Sequence, residues 1–482
     1  MVAATGLHPI RWCVVFIFAL LPKLPSSLAG HPSRHETFSA HPNLTYNFSE
    51  PRWVSDAANY TVTISPNVTG RALWEGWGTS LCWWAHVFGQ REDLADAIFT
   101  EKLVKLQGEV LPGLGLNIAR YNAGASSSRA VHNQTMQLSK KMPAFREMPG
   151  FWLDWASEDP SSDSWNWSVD VNQVAMLQKA VARGAVATLF SNSPMWWQCA
   201  NHNPCGSALG IADNLQPWNH RQHAHYLASV AEHAARSWGV RFASVEPFNE
   251  PSSVWWESEV GTQEGCHFQH SSQQSLVLLL RQALDQVGLE DVLVAASDEN
   301  TYTGALDTWR SFNASVRWSV GRVNVHGYEG KSGRRDLLRQ EVGETPLWNS
   351  EYGDGDASGF SMATNMHLDF WWLKPSAWVY WQALDFSDGW GLLTADQATS
   401  LPGGPNLKYY VLAQYTRHVR PGMQLLDSGD LNTLAAYSSE LQKLALVTIN
   451  YGTEQWITYN LTGFAAFKGG PVAWWRTDAQ GR

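Results

Sequence analysis

Short apolar and β-branched runs recur along the chain at long spacing, with amphipathic stretches between them. Strands are expected at 73–77, 116–121, 185–190, 242–248, 292–295, 323–326, 346–350 and 378–382. Helices fall between several of these: Val171, Val174, Leu177 and Val181 repeat at helical spacing before Gly184, and 275–287 is amphipathic up to Gly288. Eight strands alternating with helices predict an α/β fold, a closed (β/α)8 TIM barrel, over 70–422; an open doubly wound sheet is the structural alternative. The tail changes character after a helix at 408–420 that Pro421-Gly422 stops. Strands at 433–437, 443–449 and 455–461, joined by 60–64 from the other end, predict a side β-sandwich from 60–69 plus 423–482.

The N-terminal 59 residues fit neither unit. Arg11, the apolar run 12–21 and the small residues Ser27-Leu28-Ala29 read as a secretory signal spanning 1–29. The run is about half the ~20 residues of a membrane span, so no membrane association is expected. Residues 30–59 are rich in Pro, Ser, His and Asn, as in an exposed, glycosylated lead-in. Asn-x-Ser/Thr sequons at Asn43, Asn47, Asn59, Asn67, Asn133, Asn166, Asn313 and Asn460 agree with passage through the secretory route, so an extracellular protein is expected.

Four cysteines remain after the signal, Cys82, Cys199, Cys205 and Cys266, enough to pair completely in an oxidising compartment. Spacing does not fix the connectivity; a local Cys199–Cys205 loop with Cys82–Cys266 is the expected arrangement. No Cys-x-x-Cys pair is present, and the histidines at 220, 223, 225 and 233 lack a His-Glu-x-x-His arrangement, so neither a metal nor any cofactor is expected. Asp354-Gly355-Asp356 lacks the rest of a calcium loop and reads as an active-site loop. The net charge of -10, with scattered Lys and Arg, excludes a nucleic-acid stripe. The absence of Gly-x-Ser-x-Gly and of a complete phosphate-binding Gly-x-x-x-x-Gly-Lys-Ser/Thr loop argues against an esterase or an NTPase.

Barrel enzymes place reactive groups just after the strands. The residues there are Trp77, Arg120 with Asn122, Asn192 with Ser193, Asn249-Glu250, Asp298 with Glu299, His326 with Tyr328, Glu351 and Trp381. Glu250 and Glu351 lie about one hundred positions apart, three βα units of ~34 residues, which puts them on strands four and seven across the barrel mouth. Opposed carboxyl groups can flank a glycosidic bond, one protonating the leaving oxygen and the other attacking the anomeric carbon. The alternatives are a surface carboxylate before Pro251 and a helix-start residue. The chain has 27 Trp, many paired. Indoles stack on the apolar faces of sugars, and Trp196, Trp256 and Trp381 are the candidates for a cleft, whereas Trp371-Trp372 reads as packing.

These segments resemble glycoside hydrolase family 30, in particular its fungal endo-β-1,6-galactanases. The similarity rests on Trp74-Glu75-Gly76-Trp77-Gly78, Asn117-Ile118-Ala119-Arg120-Tyr121-Asn122-Ala123-Gly124, Ser191-Asn192-Ser193-Pro194-Met195-Trp196-Trp197, Phe248-Asn249-Glu250-Pro251, Val325-His326-Gly327-Tyr328, Asn349-Ser350-Glu351-Tyr352-Gly353 and Trp378-Val379-Tyr380-Trp381-Gln382. The resemblance implies a (β/α)8 barrel with a side sandwich, and retaining hydrolysis of β-1,6-galactan; a monomer is expected. It makes Glu250 the acid/base and Glu351 the nucleophile. It implies that Asn249 holds the sugar 2-hydroxyl and that Arg120, His326, Tyr328 and Trp381 complete the innermost subsite. An endo-β-1,6-glucanase or other family 30 β-glycosidase, and a non-catalytic carbohydrate-binding protein, are the competing functions. Family members continue past the region matching Trp474-Trp475-Arg476 with further sandwich strands, so an incomplete sandwich is expected here.

Overall fold

The computed structural model describes residues 12–18, 60–67, 69, 73–386, 389–396, 401–451, 456–464 and 472–477. The lead-in at 30–59 and the sequons Asn43, Asn47 and Asn59 lie outside the described residues. Eight parallel strands close a barrel in sequential order: β1 (Gly76–Ser80), β2 (Ile118–Asn122), β3 (Val186–Phe190), β4 (Phe242–Glu246), β5 (Leu293–Glu299), β6 (Arg322–His326), β7 (Leu347–Tyr352) and β8 (Ala377–Gln382). β8 returns to β1 with Ala377 opposite Gly76 and Trp378 opposite Trp77, which closes the ring and leaves no edge. Helices cover the outside, among them Val171–Ala182, His220–His233, His270–Gln286 and Leu407–Thr416.

Side chains along β2, β6, β7 and β8 are buried throughout, because each strand faces the barrel interior on one side and a helix on the other. Strand alternation then decides roles. On β1, Ser80 points inward to Arg120, so Trp77 points out. Its indole donates to the Val419 carbonyl at 2.7 Å and packs on Trp74, Phe370, Trp378 and Tyr415.

Beside the barrel, Tyr60–Thr63 pairs in parallel with Ile457–Asn460. Val62 and Ile64 pack against Leu426, Ala435, Leu444 and Leu446, which joins this pair to a five-stranded sheet ordered Gln424–Leu426, Thr433–Ser438, Lys443–Asn450, Trp12–Phe18, Val472–Thr477. The sandwich expected to lack strands is therefore filled by an unexpected segment. Trp12–Phe18 lies parallel between Lys443–Asn450 and Val472–Thr477. Sequence analysis reads the same residues as a leader, and within one molecule the two uses exclude each other.

The expected disulfides are not formed: Cys82, Cys199, Cys205 and Cys266 are all buried free thiols. Cys82 sits among Trp83, Met148, Phe190 and Trp381, whereas Cys266 belongs to the main barrel core. The Cys199 sulfur faces the Pro194 and Met195 carbonyls, and Cys205 faces the Met142 sulfur at 3.3 Å. The histidines of His220–His233 also disperse: His223 bonds to the Pro247 carbonyl, His225 to the Glu158 carbonyl, and His233 stacks on Trp167.

Candidate active site

A cleft of about 700 Å³ opens at the C-terminal end of the barrel strands. Glu250 and Glu351 both line it, with Asn249, Tyr328, Trp256 and Trp381. Glu351 ends β7, and each of its oxygens is held by a donor. Arg120 Nη1 gives Oε2 a 2.6 Å hydrogen bond, and the Tyr328 hydroxyl gives Oε1 one of 2.8 Å. Glu250 follows β4 in a left-handed backbone conformation, φ 48°, with its N–H donating to the Asp298 carbonyl at 2.8 Å. Such a φ is unusual for a residue with a side chain, and at a cleft it aims that side chain rather than continuing the strand. Glu250 Oε1 accepts from Asn300 Nδ2 at 2.7 Å and lies 3.1 Å from His326 Nδ1.

His326 sits between the two glutamates, with Nδ1 also 3.5 Å from Glu351 Oε1 and Nε2 3.1 Å from Asp298 Oδ1. Burial opposes its charge, but Glu351 and Asp298 outweigh it and raise the imidazole well above its ordinary range. Gly327 is required beside it. A Cβ there would lie 2.7 Å from Asn365 Nδ2 and 2.8 Å from the Tyr352 ring, so a side chain would push His326 and Tyr328 away from the glutamates.

Arg120 ties the floor together from β2. Its Nη2 donates to Asn249 Oδ1 at 2.8 Å and Asp298 Oδ2 at 2.5 Å, its Nη1 also reaches Ser80 Oγ at 3.1 Å, and its plane lies 3.4 Å over Phe190. Burial disfavours this cation, yet Asp298, Glu351 and Glu246 keep it charged. Asp298 is buried too, but Arg120 and His326 hold its carboxyl far below the usual range. For Glu351, burial is the largest influence and lifts the carboxyl above its ordinary value; His326 and Arg120 pull it down, and Glu250 and Asp298 push it up. One oxygen or ring nitrogen from each of Glu250, His326 and Glu351 falls within 4.8 Å of the others. Geometrically that set could hold a cation.

Three expected cleft residues lie elsewhere. Trp77 belongs to the packing outside the barrel, as described above. Asn192 and Trp196 follow β3, and the long loop after β2 covers them: the Trp196 N–H donates to the Ala125 carbonyl at 2.9 Å, and a side chain at Gly150 would strike Met195. Asn192 bonds back to Asn122 and contacts Cys82. Conversely, the cleft takes in Trp83, Arg146, Trp255, Asn300, Asp385 and Trp390, which sequence reasoning did not single out as site residues. Trp83 is the axis of one wall, with Trp381 edge-on at 5.0 Å and the Arg146 guanidinium 4.1 Å over its ring.

The loops bearing Arg146 and Trp256 are fastened together by Glu264. Its Oε1 accepts from Ser126 Oγ at 2.8 Å and from the Ala125 and Met148 N–H groups at 3.3 Å. Fully buried, with no countercharge among these partners, its carboxyl is pushed up to about 8 by desolvation.

Residues 59–314 match O-glycosyl hydrolase family 30. The chain is 53% identical over 429 residues to an endo-beta-1,6-galactanase of Hypocrea rufa, covering 88% of each protein. Among solved structures it resembles a conserved exported protein from Bacteroides fragilis, with TM-score 0.68 and 18% identity over 83% of this chain and 91% of that one. It also resembles the catalytic domain of the family 30 xylanase C from Talaromyces cellulolyticus, with TM-score 0.57 and 18% identity over 79% and 84%.

Proposed function

Because the chain belongs to O-glycosyl hydrolase family 30, we propose that it is a secreted, retaining endo-glycosidase cleaving β-1,6-galactan of the kind found in arabinogalactan side chains. The observation that carries the reaction class is the approach of Glu250 and Glu351 to within 4.8 Å at their nearest oxygens, at the mouth of an open cleft. Retaining enzymes hold their two carboxyl groups ~5–5.5 Å apart, whereas inverting enzymes need ~6.5–9.5 Å to admit a water.

In the first step a Glu351 oxygen forms a bond to the anomeric carbon as the glycosidic C–O bond breaks, and Glu250 gives its proton to the departing oxygen. In the second, Glu250 takes a proton from water, the water oxygen bonds to the anomeric carbon, and Glu351 leaves with the electrons of the ester bond. His326 serves both. While Glu351 is anionic, His326 lies between it and the protonated Glu250; once Glu351 is esterified, His326 Nδ1 faces the negative charge of Glu250 as base. The Arg120 and Tyr328 hydrogen bonds hold one rotamer of Glu351, the orientation that the attack requires. Tyr328 stays a neutral donor, since burial and Glu351 raise its phenol well above the ordinary range. Asn249, pinned by Arg120, is placed to meet the sugar 2-hydroxyl, where a bond that tightens toward the oxocarbenium-like transition state accelerates the reaction.

The galactan assignment is supported by the Hypocrea rufa relative, and polysaccharide binding by the indoles of Trp83, Trp255, Trp256, Trp381 and Trp390 around the cleft. Secretion is supported by the apolar run 12–21 and the sequons. The test is incubation of protein from culture supernatant with de-arabinosylated β-1,6-galactan and, in parallel, β-1,6-glucan. Mixed short galacto-oligosaccharides of retained anomeric configuration, from galactan alone, are expected. Release from glucan alone would overturn the substrate, and inverted product would overturn the roles of the glutamates. A mature N-terminus far from Gly30 would overturn the leader.

A further inference from the structure

A second cavity, of about 350 Å³, lies at the seam between barrel and sandwich. Trp371 and Trp372 line it from the barrel side, on the turn Asp369–Leu373. The sandwich contributes Asp427 and Ser428, and exposed Lys374 stands at the rim. Its size is at the lower end of small-ligand pockets, ~300–1,000 Å³, and its lining is what a sugar requires: indoles for the apolar ring face with a few polar groups for hydroxyls. The catalytic mechanism has no use for it.

The sixth lining residue of interest is Asn67, the asparagine of the sequon Asn67-Val68-Thr69. Its backbone is fixed on the sandwich, with its carbonyl accepting from the Asp427 N–H at 2.9 Å while Thr69 N–H reaches the Leu425 carbonyl at 3.0 Å. Its side chain is exposed and makes no hydrogen bond among the described residues. Other sequon asparagines use theirs: Asn166 Oδ1 accepts from Ser168, Asn313 Oδ1 caps its helix at Val316, and Asn460 Oδ1 accepts from the Thr462 N–H. Among the described sequons, Asn67 alone lines an aromatic cavity.

We propose that Asn67 carries an N-linked glycan whose first N-acetylglucosamine residues lie in the seam cavity against Trp371 and Trp372, bracing the sandwich on the barrel. The inference rests on the secretory reading. In the transfer, Asn67 Nδ2 forms a bond to the anomeric carbon of a polyprenyl-diphosphate oligosaccharide. The anomeric C–O bond to phosphate breaks, the lipid diphosphate leaves, and Nδ2 gives up one proton. The modification precedes folding, and the glycan is enclosed as the two units close on it.

The test uses protein secreted from a eukaryotic host. Glycopeptide mass spectrometry reads occupancy at Asn67, Asn133, Asn166, Asn313 and Asn460, and a peptide N-glycosidase is then applied to native and denatured protein. Asn67 is expected to be occupied and to lose its glycan several-fold more slowly than exposed Asn133 in native protein, with equal rates after denaturation. Trp371→Ala is expected to abolish that difference at Asn67 only. A bare Asn67 with glycan on the other sites, or equal native rates at Asn67 and Asn133, overturns the inference and leaves secretion standing. No glycan at any site overturns both.

Discussion

Of the buried arginines in this barrel, Arg335 and Arg120 have surroundings that differ in one respect. Arg335 meets a single carboxylate, Asp369, at 2.7 Å, and spends its other donors on the Ser332 and Gly330 carbonyls, Asn365 and Tyr302. Asp369 in turn accepts from Tyr302, Asn349 and Trp378, so charge and hydrogen bonding are both complete. Arg120 sits instead with His326 among three carboxyl groups, Glu250, Asp298 and Glu351, on the floor of a cleft. The first cluster joins one cation to one carboxylate and is closed; the second gathers three carboxyl groups around Arg120 and His326 and opens to substrate. Removing one partner of a saturated buried ion pair is costly, whereas charge held in place toward substrate is what a catalytic centre requires.

Glu351→Gln should divide the two most sharply. Turnover on galactan is expected to fall on the order of 10⁴-fold, while substrate binding by calorimetry persists and the melting temperature stays level or rises, because a surplus carboxylate has been removed. A drop in stability together with activity would erase the distinction. Asp369→Asn should do the reverse. It leaves the Arg335 cation buried without its partner, at a cost of about 3–5 kcal/mol, seen in denaturant unfolding, while kcat below the melting range changes little.

Glu264 supplies an intermediate case, a buried carboxyl with no cation. Raised to about 8 when folded, it binds its proton more tightly in the native than in the unfolded state. Native protein therefore holds more protons between the ordinary carboxyl range and about 8, and stability falls as pH rises through that window. Glu264→Gln should flatten the decline in melting temperature over the same window, whereas Glu264→Ala, which leaves the Ala125 and Met148 N–H groups unpaired, should lower the melting temperature throughout and raise KM more than it lowers kcat. The smallest effect concerns Glu351 itself. Its raised carboxyl predicts that the acid limb of kcat/KM lies above the ordinary glutamate value of ~4.3, and Arg120→Met, by removing a lowering influence, should move that limb further up.

Much of this was legible beforehand, and the failures share a cause. All eight barrel strands fall within a few residues of the apolar runs, because a strand covered on both faces must be apolar almost throughout. The polar residues after those runs include Glu250, His326, Tyr328 and Glu351 for the same reason. Trp77 faces outward, and Asn192 and Trp196 lie beneath a neighbouring loop, because a position near a strand end reveals neither which way its side chain faces nor what covers it. Asp298 stood in the strand-end set, yet nothing in its neighbourhood marked it as a partner of Arg120, 178 positions away. Arg146 and Trp83 meet across loops of irregular backbone, which leave no periodic signal. The cysteines were paired by count, but each sulfur found its own packing partner.

The strand Trp12–Phe18 carries a consequence for the timing of assembly. It is synthesised first, whereas its two neighbours, Lys443–Asn450 and Val472–Thr477, are among the last residues to leave the ribosome. At ~5–20 residues per second the interval is roughly 20–90 seconds, far longer than the microseconds to seconds in which small domains fold. This strand therefore waits unpaired through the synthesis of the whole barrel, whose last strand is Ala377–Gln382. A leader engaged by the translocation machinery in the interval is withdrawn from the competition, and Lys443–Asn450 must then settle without it. Whether this seven-residue segment serves as address or as architecture is thus decided by which partner reaches it first.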